Sequence, residues 1–144
     1  VIITNSAVVG NGNQGTNSVS RGILTNTNSK MVVLNSIIAY NRGVEIATDQ
    51  PSTIDWSTIY DNSGSTMTPA AQTILNDGSG NNQLNPVFIG DGLTTNPFLV
   101  ASMNAFDFQL QSTSPLIDGG ASSITDVDGS RSDIGAYGGP LGAW

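Results

Sequence analysis

The sequence predicts an all-β fold, a β-solenoid in which short parallel strands stack coil upon coil. Three observations predict it. Gly22 to Asn62 reads as two gapless copies of a 21-residue unit, which pairs Val33 with Ile54, Ser36 with Ser57, Ile38 with Ile59 and Asn41 with Asn62. Upstream, Asn5 to Asn11 matches Asn35 to Asn41, with a longer insert between the two. The apolar runs are short, and Gly, Asn, Ser and Thr fill the gaps between them, residues that favour turns and disfavour helix. A period of about 20 residues with this texture marks a solenoid, and such a coil buries its aliphatics only when a neighbour covers it, so at least about three coils are needed.

Taken in order, Val1-Ile2-Ile3 opens the first rung, which runs on to Asn11. Gly10 to Ser20 has almost nothing to bury and is expected to leave the coil as a loop. From Arg21 the coils are regular. Alternate side chains of a strand face inwards, which places Ile23, Thr25, Val44, Ile46, Ser36, Ile38, Ser57 and Ile59 inside and Leu24 and Glu45 outside. Asn11, Asn41 and Asn62 recur at the same turn. Stacked asparagines can satisfy one another's amides, which makes a structural ladder the stronger reading and a catalytic asparagine the weaker.

Asp49 to Ser52 reads as a turn around Pro51. Pro69 to Leu75 fits either a helical turn or a rung, and Asn76 to Asn82 reads as a polar loop. Leu84 to Ile89 returns to the strand pattern, with Val87 one 21-residue period before Phe108. Gly90 to Asn104 is a long connection whose Pro97-Phe98-Leu99-Val100 should pack over the side of the coil.

Composition narrows the function. The 144 residues suffice for one domain, and only 10% of them are charged, against about 25% in ordinary globular domains. Regularly placed aliphatics argue against disorder. Eleven acids against Arg21, Lys30, Arg42 and Arg131 give a net charge of -7, which repels a phosphate backbone and speaks against a nucleic-acid partner. Cysteine and histidine are both absent, which removes disulfides, thiolate chemistry, the commonest general base and the commonest zinc ligand. No apolar run approaches the ~20 residues that span a bilayer, so membrane insertion is not expected.

Ala105 to Trp144 carries Asp107-Phe108-Gln109-Leu110, Ser114-Pro115-Leu116-Ile117-Asp118-Gly119-Gly120, Asp126-Val127-Asp128-Gly129 and Arg131-Ser132-Asp133-Ile134-Gly135-Ala136-Tyr137-Gly138. This tail resembles the closing end of bacterial right-handed parallel β-helix proteins of the pectate-lyase-like superfamily. Asn85-Pro86-Val87-Phe88 is similar to an Asp-Pro-Leu-Phe element of the same group, with Asn85 in place of the Asp. The resemblance implies a right-handed parallel β-helix, either short or the C-terminal part of a longer one. It also implies a single domain over 1–144 with 105–144 closing an end, and a place outside the cell or on its surface. Members include polysaccharide lyases and hydrolases as well as structural, adhesive and filamentous proteins.

Several residues are candidates for chemistry. Asp126, Asp128 and Asp133 around Gly129 resemble a calcium loop, since hard cations want carboxylate and carbonyl oxygens; Tyr137 stands where an EF-hand has its last Glu. The competing reading is a set of turns in which Asp126 and Asp128 bond backbone amides and Asp133 pairs with Arg131. Arg21 and Arg42 lie one period apart beside Glu45 and Asp49, and a lyase of this shape uses an arginine or lysine as base. A guanidinium with a pKa above ~12 is a poor base, and an ordinary ion network explains the pair as well. Asp55 and Asp61 share a rung with Trp56 and Tyr60, a carboxylate pair beside aromatic faces on which a carbohydrate could stack. The short chain leaves little flank for a processing groove, so a non-enzymatic role is the expectation and a lyase or hydrolase fragment the alternative.

The two ends differ. Val1, Ile2, Ile3, Val8 and Val9 form an apolar edge with nothing obvious before it, while Tyr137 and Trp144 supply area for a cap at the other end. An open rung is a template for another strand, so the expected partners are upstream coils or identical subunits joined end to end, with Val1, Ile2, Ile3, Val8, Tyr137 and Trp144 at the contacts.

Overall fold

A computed structural model describes residues 1–11, 28–41, 51–60, 62, 73, 78–90 and 106–142. Three coils stack in register. Each contributes two three-residue strands joined at a corner: β1 (Ile2–Thr4) and β2 (Ala7–Val9), β3 (Val32–Leu34) and β4 (Ile37–Ala39), β5 (Thr53–Asp55) and β6 (Thr58–Tyr60). They form two parallel sheets, ordered β1-β3-β5 and β2-β4-β6. Ile38 lies opposite Ile59 and Val33 opposite Ile54, the predicted 21-residue register, and Val8 lies opposite Ile38 across the longer insert. The protein is therefore an all-β fold of the parallel solenoid class.

The corner between the two strands of each coil is held by Asn5, Asn35 and Trp56, all with positive φ (44°, 49° and 47°). Asparagine visits this left-handed region at little cost, whereas a tryptophan there is strained. Trp56 is retained in that conformation by its surroundings, with Gly80 against its ring and the Arg131 guanidinium 4.7 Å from the ring centre.

Two ladders tie the coils. Ser6 N–H donates to Ser36 Oγ, Ser36 N–H to Ser57 Oγ, and Ser57 N–H to Asn81 Oδ1, at 3.0–3.3 Å. In the second ladder, the backbone and side-chain amides of Asn11 both donate to Asn41 Oδ1 at 3.1 Å, and those of Asn41 to Asn62 Oδ1 at 2.9 Å. Asn41 and Asn62 also reach across to the carbonyls of Val8 and Ile38. The structural reading of the asparagine column is thus the observed one.

Beyond the third coil the chain departs from the sequence reading. Residues 78–82, expected as a loop, form part of a fourth coil: Thr58 bridges Asn82 in parallel, Trp56 N–H donates to Ser79 O, and Asn81 takes the serine position. β7 (Phe88–Gly90) then pairs antiparallel with β8 (Asp107–Leu110), Phe88 opposite Leu110. The expected parallel repeat from Val87 to Phe108 is therefore absent. Asn85 explains the turn before β7, because its Oδ1 accepts from Val87 N–H and from the Tyr40 hydroxyl at 3.0 Å each. The loop expected at 12–20, the coil segments expected at 21–27 and 42–50, the helical turn or rung expected over 69–75 apart from Thr73, and the connection expected at 91–104 lie outside the described residues.

The core has two parts. Inside the coil, Met31, Val33, Ile38, Ile54 and Ile59 pack together with Ile3 and Val8. On the outer face of β2-β4-β6, Ile37, Ala39 and Tyr40 are buried too, against Phe88, Phe106, Leu110, Leu116 and Ile134. Residues 106–142 thus lie along a flank of the coils and do not merely close an end. Gly120 packs on Asn35, Gly135 N–H donates to Asn35 O, and Asn5 Nδ2 donates to Gly138 O at 2.6 Å. Gly135 (φ 131°) and Gly139 (φ 87°) permit the approach, since a Cβ there would strike Ile37 and Asn5 respectively.

Candidate functional site

Among the described residues, the carboxylates of the tail form the densest group of candidate side chains. Asp126 is held at the turn that begins at Thr125, which bridges Arg131 in antiparallel sense. Its Oδ2 accepts from Asp133 N–H at 3.0 Å and its Oδ1 from Gly139 N–H. Asp133 Oδ1 accepts from Asp118 N–H at 2.7 Å, and Asp128 Oδ1 accepts both the amide and the hydroxyl of Ser130. The three acids therefore satisfy four backbone amides, those of Asp118, Ser130, Asp133 and Gly139, that no regular sheet would satisfy. Among the described residues no three His, Cys, Asp or Glu side chains are grouped as a metal site. Arg131 does not pair with Asp133: its Nε donates to Gly120 O and its guanidinium lies over Trp56.

Asp118, Asp126, Asp128 and Asp133 border an open cavity of about 890 Å³, whose apolar walls include Val127 and Leu141. Burial pushes the Asp133 carboxyl up to about 6; the Asp118 amide opposes this, and the negative charges of Asp126, Asp118 and Asp128 add to it. At exposed Asp128 the Ser130 hydroxyl, and then its amide, hold the carboxyl below the ordinary value. A folded-state value raised above the unfolded 3.8 means that Asp133 contributes stability at acid pH and loses it as pH rises through about 6. The expected result is a melting temperature that falls between pH 4 and pH 7, and falls less in Asp133→Asn, where the amide oxygen can still accept from Asp118. Calorimetry across that range checks it; parallel curves for the two proteins would remove Asp133 as the cause.

Among the described residues, the carbohydrate candidates Asp55, Trp56 and Tyr60 are engaged in different places. Asp55 lies at the end of β5, where Oδ1 accepts from Ser79 N–H at 2.7 Å. Trp56 occupies the corner, covered by Gly80 and Arg131. Tyr60 lies on β6 with its ring edge-on to Tyr40, 5.5 Å between centres, within the cluster beneath the tail. Arg21, Arg42 and Asp61 lie outside the described residues, as does Trp144.

Of the contact candidates, Val1 and Ile2 are exposed (73% and 76%), while Ile3 and Val8 are half-buried against the inner core. Tyr137 lies next to Gly138, which is bonded to Asn5 of the first coil. Sequence reasoning missed Asn81 and Asn82, which follow Ser57 and Thr58 by 24 residues and so fall off the 21-residue period.

No helix among the described residues is long and apolar enough to cross a membrane. No protein-family profile, curated protein or solved structure matches the chain, so the likeness of its tail to the pectate-lyase-like superfamily rests on the motifs alone.

Proposed function

We propose that this protein is a non-enzymatic, extracellular or cell-surface structural module: a right-handed parallel β-helix of the pectate-lyase-like kind, continued end to end at its first coil. The observation that carries this reading is the outer edge of β1 and β2. Both are end strands of their sheets among the described residues, and Ile2 of β1 is exposed. An unpaired strand edge of this kind recruits another strand. The described polar candidates support it from the other side, because Asp55, Asp126, Asp128 and Asp133 each give at least one carboxylate oxygen to a backbone amide that holds the fold. An adhesive variant of the role would place carbohydrate on the flank.

The expected result is no turnover of pectate, alginate or a neutral glycan, measured by reducing ends and by absorbance of unsaturated uronate. Turnover that Arg42→Ala or Asp55→Ala abolishes would replace this reading with a lyase or hydrolase fragment.

A further inference from the structure

We infer that the first coil is a socket for one further coil bearing the same Asn-Ser-x-x-x-x-Asn pattern, and not for a second copy of this chain; the inference rests on the end-to-end reading above. The ladders run in one direction. In each coil Ser Oγ donates to its own strand, from Ser6 to Thr4 O, Ser36 to Leu34 O and Ser57 to Asp55 O, and in the lower coils it also accepts an N–H from the coil above. Each lower asparagine Oδ1 accepts two N–H groups from the asparagine above. At Ser6 Oγ and Asn11 Oδ1 these accepting positions carry no bond among the described residues.

Asn11 also shows what is missing. Asn41 and Asn62 donate to a carbonyl of the coil above, Val8 O at 2.8 Å and Ile38 O at 2.9 Å, each three residues before that coil's asparagine. Asn11 turns instead to its own Val9 O at 3.2 Å. On the strands, Val32 and Thr53 N–H bond Val1 and Met31 O above them, and Ile37 and Thr58 N–H bond Ser6 and Ser36 O. By the same register the amides of Ile2 and Ala7 point to the place of the incoming coil. An occupant must therefore bring an asparagine with its backbone N–H, a serine-position N–H five residues earlier, and a carbonyl between them.

A second copy stacked head to tail does not bring these. In the fourth coil Asn81 and Asn82 follow Ser57 and Thr58 by 24 residues, and the same step from Asn62 arrives at Pro86, which has no N–H and no side-chain amide. Beyond it the chain turns into the antiparallel β7-β8 pair. The hydrogen-bonding complement of the first coil is another coil of its own pattern.

The test extends the full chain at its start with a duplicate of residues 1–30, the spacing that separates the first coil from the second. Exchange of the Ile2 and Ala7 amides is then followed by NMR. Protection of both is expected to rise by about tenfold or more, as for a gained buried hydrogen bond, and to be lost when the appended coil carries leucine in place of its asparagine. Unchanged exchange in the extended chain overturns the inference, as does equal protection with the leucine variant. Concentration-dependent protection of the same amides in the unextended chain also overturns it, by making a second copy the occupant, but leaves the structural-module reading standing. Glycan turnover would do the reverse.

Discussion

Asn41→Leu is expected to lower the unfolding free energy by about 3–5 kcal/mol, several times the loss in Asn11→Leu. Leucine has the same γ-branched side-chain skeleton and is not smaller, so no cavity forms and the main loss is one of hydrogen bonds. Asn41 is fully buried; its Nδ2 serves Val8 O and Asn62 Oδ1, and its Oδ1 serves two amides of Asn11. Replacement strands the Val8 carbonyl and the Asn11 backbone amide beside the core, at about 1–3 kcal/mol for each unsatisfied group, with the lost side-chain bond between Asn11 and Asn41 in addition. Asn62 Oδ1 keeps the Asn41 backbone N–H and suffers less. Asn11 is exposed and its partners can turn to water, so its replacement should cost about 1 kcal/mol or less. Urea titrations of both variants at one pH provide the comparison. Similar small losses at the two positions would show that the ladder follows from the stacking of the coils and does not support it.

The coil register was legible in the sequence because repetition multiplies weak signals. One Asn-Ser pair is a turn, but Asn5-Ser6, Asn35-Ser36 and the Ser57 of the next coil recur at fixed distances from an asparagine, and only stacked coils use the same offsets three times. The fourth coil broke that rule. Gly78, Gly80 and Asn81 offer no apolar face, and the serine there is replaced by an amide that performs the same accepting role.

The burial of the outer face was legible only in part. Alternation marks Ile38 as inward but is silent about what lies against Ile37 and Ala39. Yet Ile37-Ile38-Ala39 is apolar at three successive positions, the mark of a strand covered on both sides. The tail that covers it bonds through Asn35 and Asn5, contacts 86 and 133 residues distant in sequence, and no local pattern announces those. The acidic cluster illustrates the same limit. Asp-x-Asp-Gly fits a cation or a set of amides equally well, and the choice depends on where Gly139 and Asp118 arrive.

Phe88→Ala is expected to cost about 3–5 kcal/mol and to loosen the tail before the coils. Phe88 is completely buried, with ring centres 5.6 Å from Phe108, 6.0 Å from Phe106 and 6.4 Å from Tyr40. It thus joins β8 to the outer face of β4. The ladders do not pass through it, since their bonds run among Ser6, Ser36, Ser57 and the three asparagines. Truncation removes apolar contact and leaves a void between the tail and the sheet, while the inner cluster around Val33, Ile38 and Ile54 keeps its own packing. Hydrogen exchange separates the two regions. The amides of Gly120 and Gly135, bonded to Ser132 O and Asn35 O, should lose protection to a greater extent than those of Val32 and Thr58 within the coils. A uniform loss across all four amides would mean instead that tail and coils unfold as one unit, so that the covered flank is as much a part of the core as the interior of the coil.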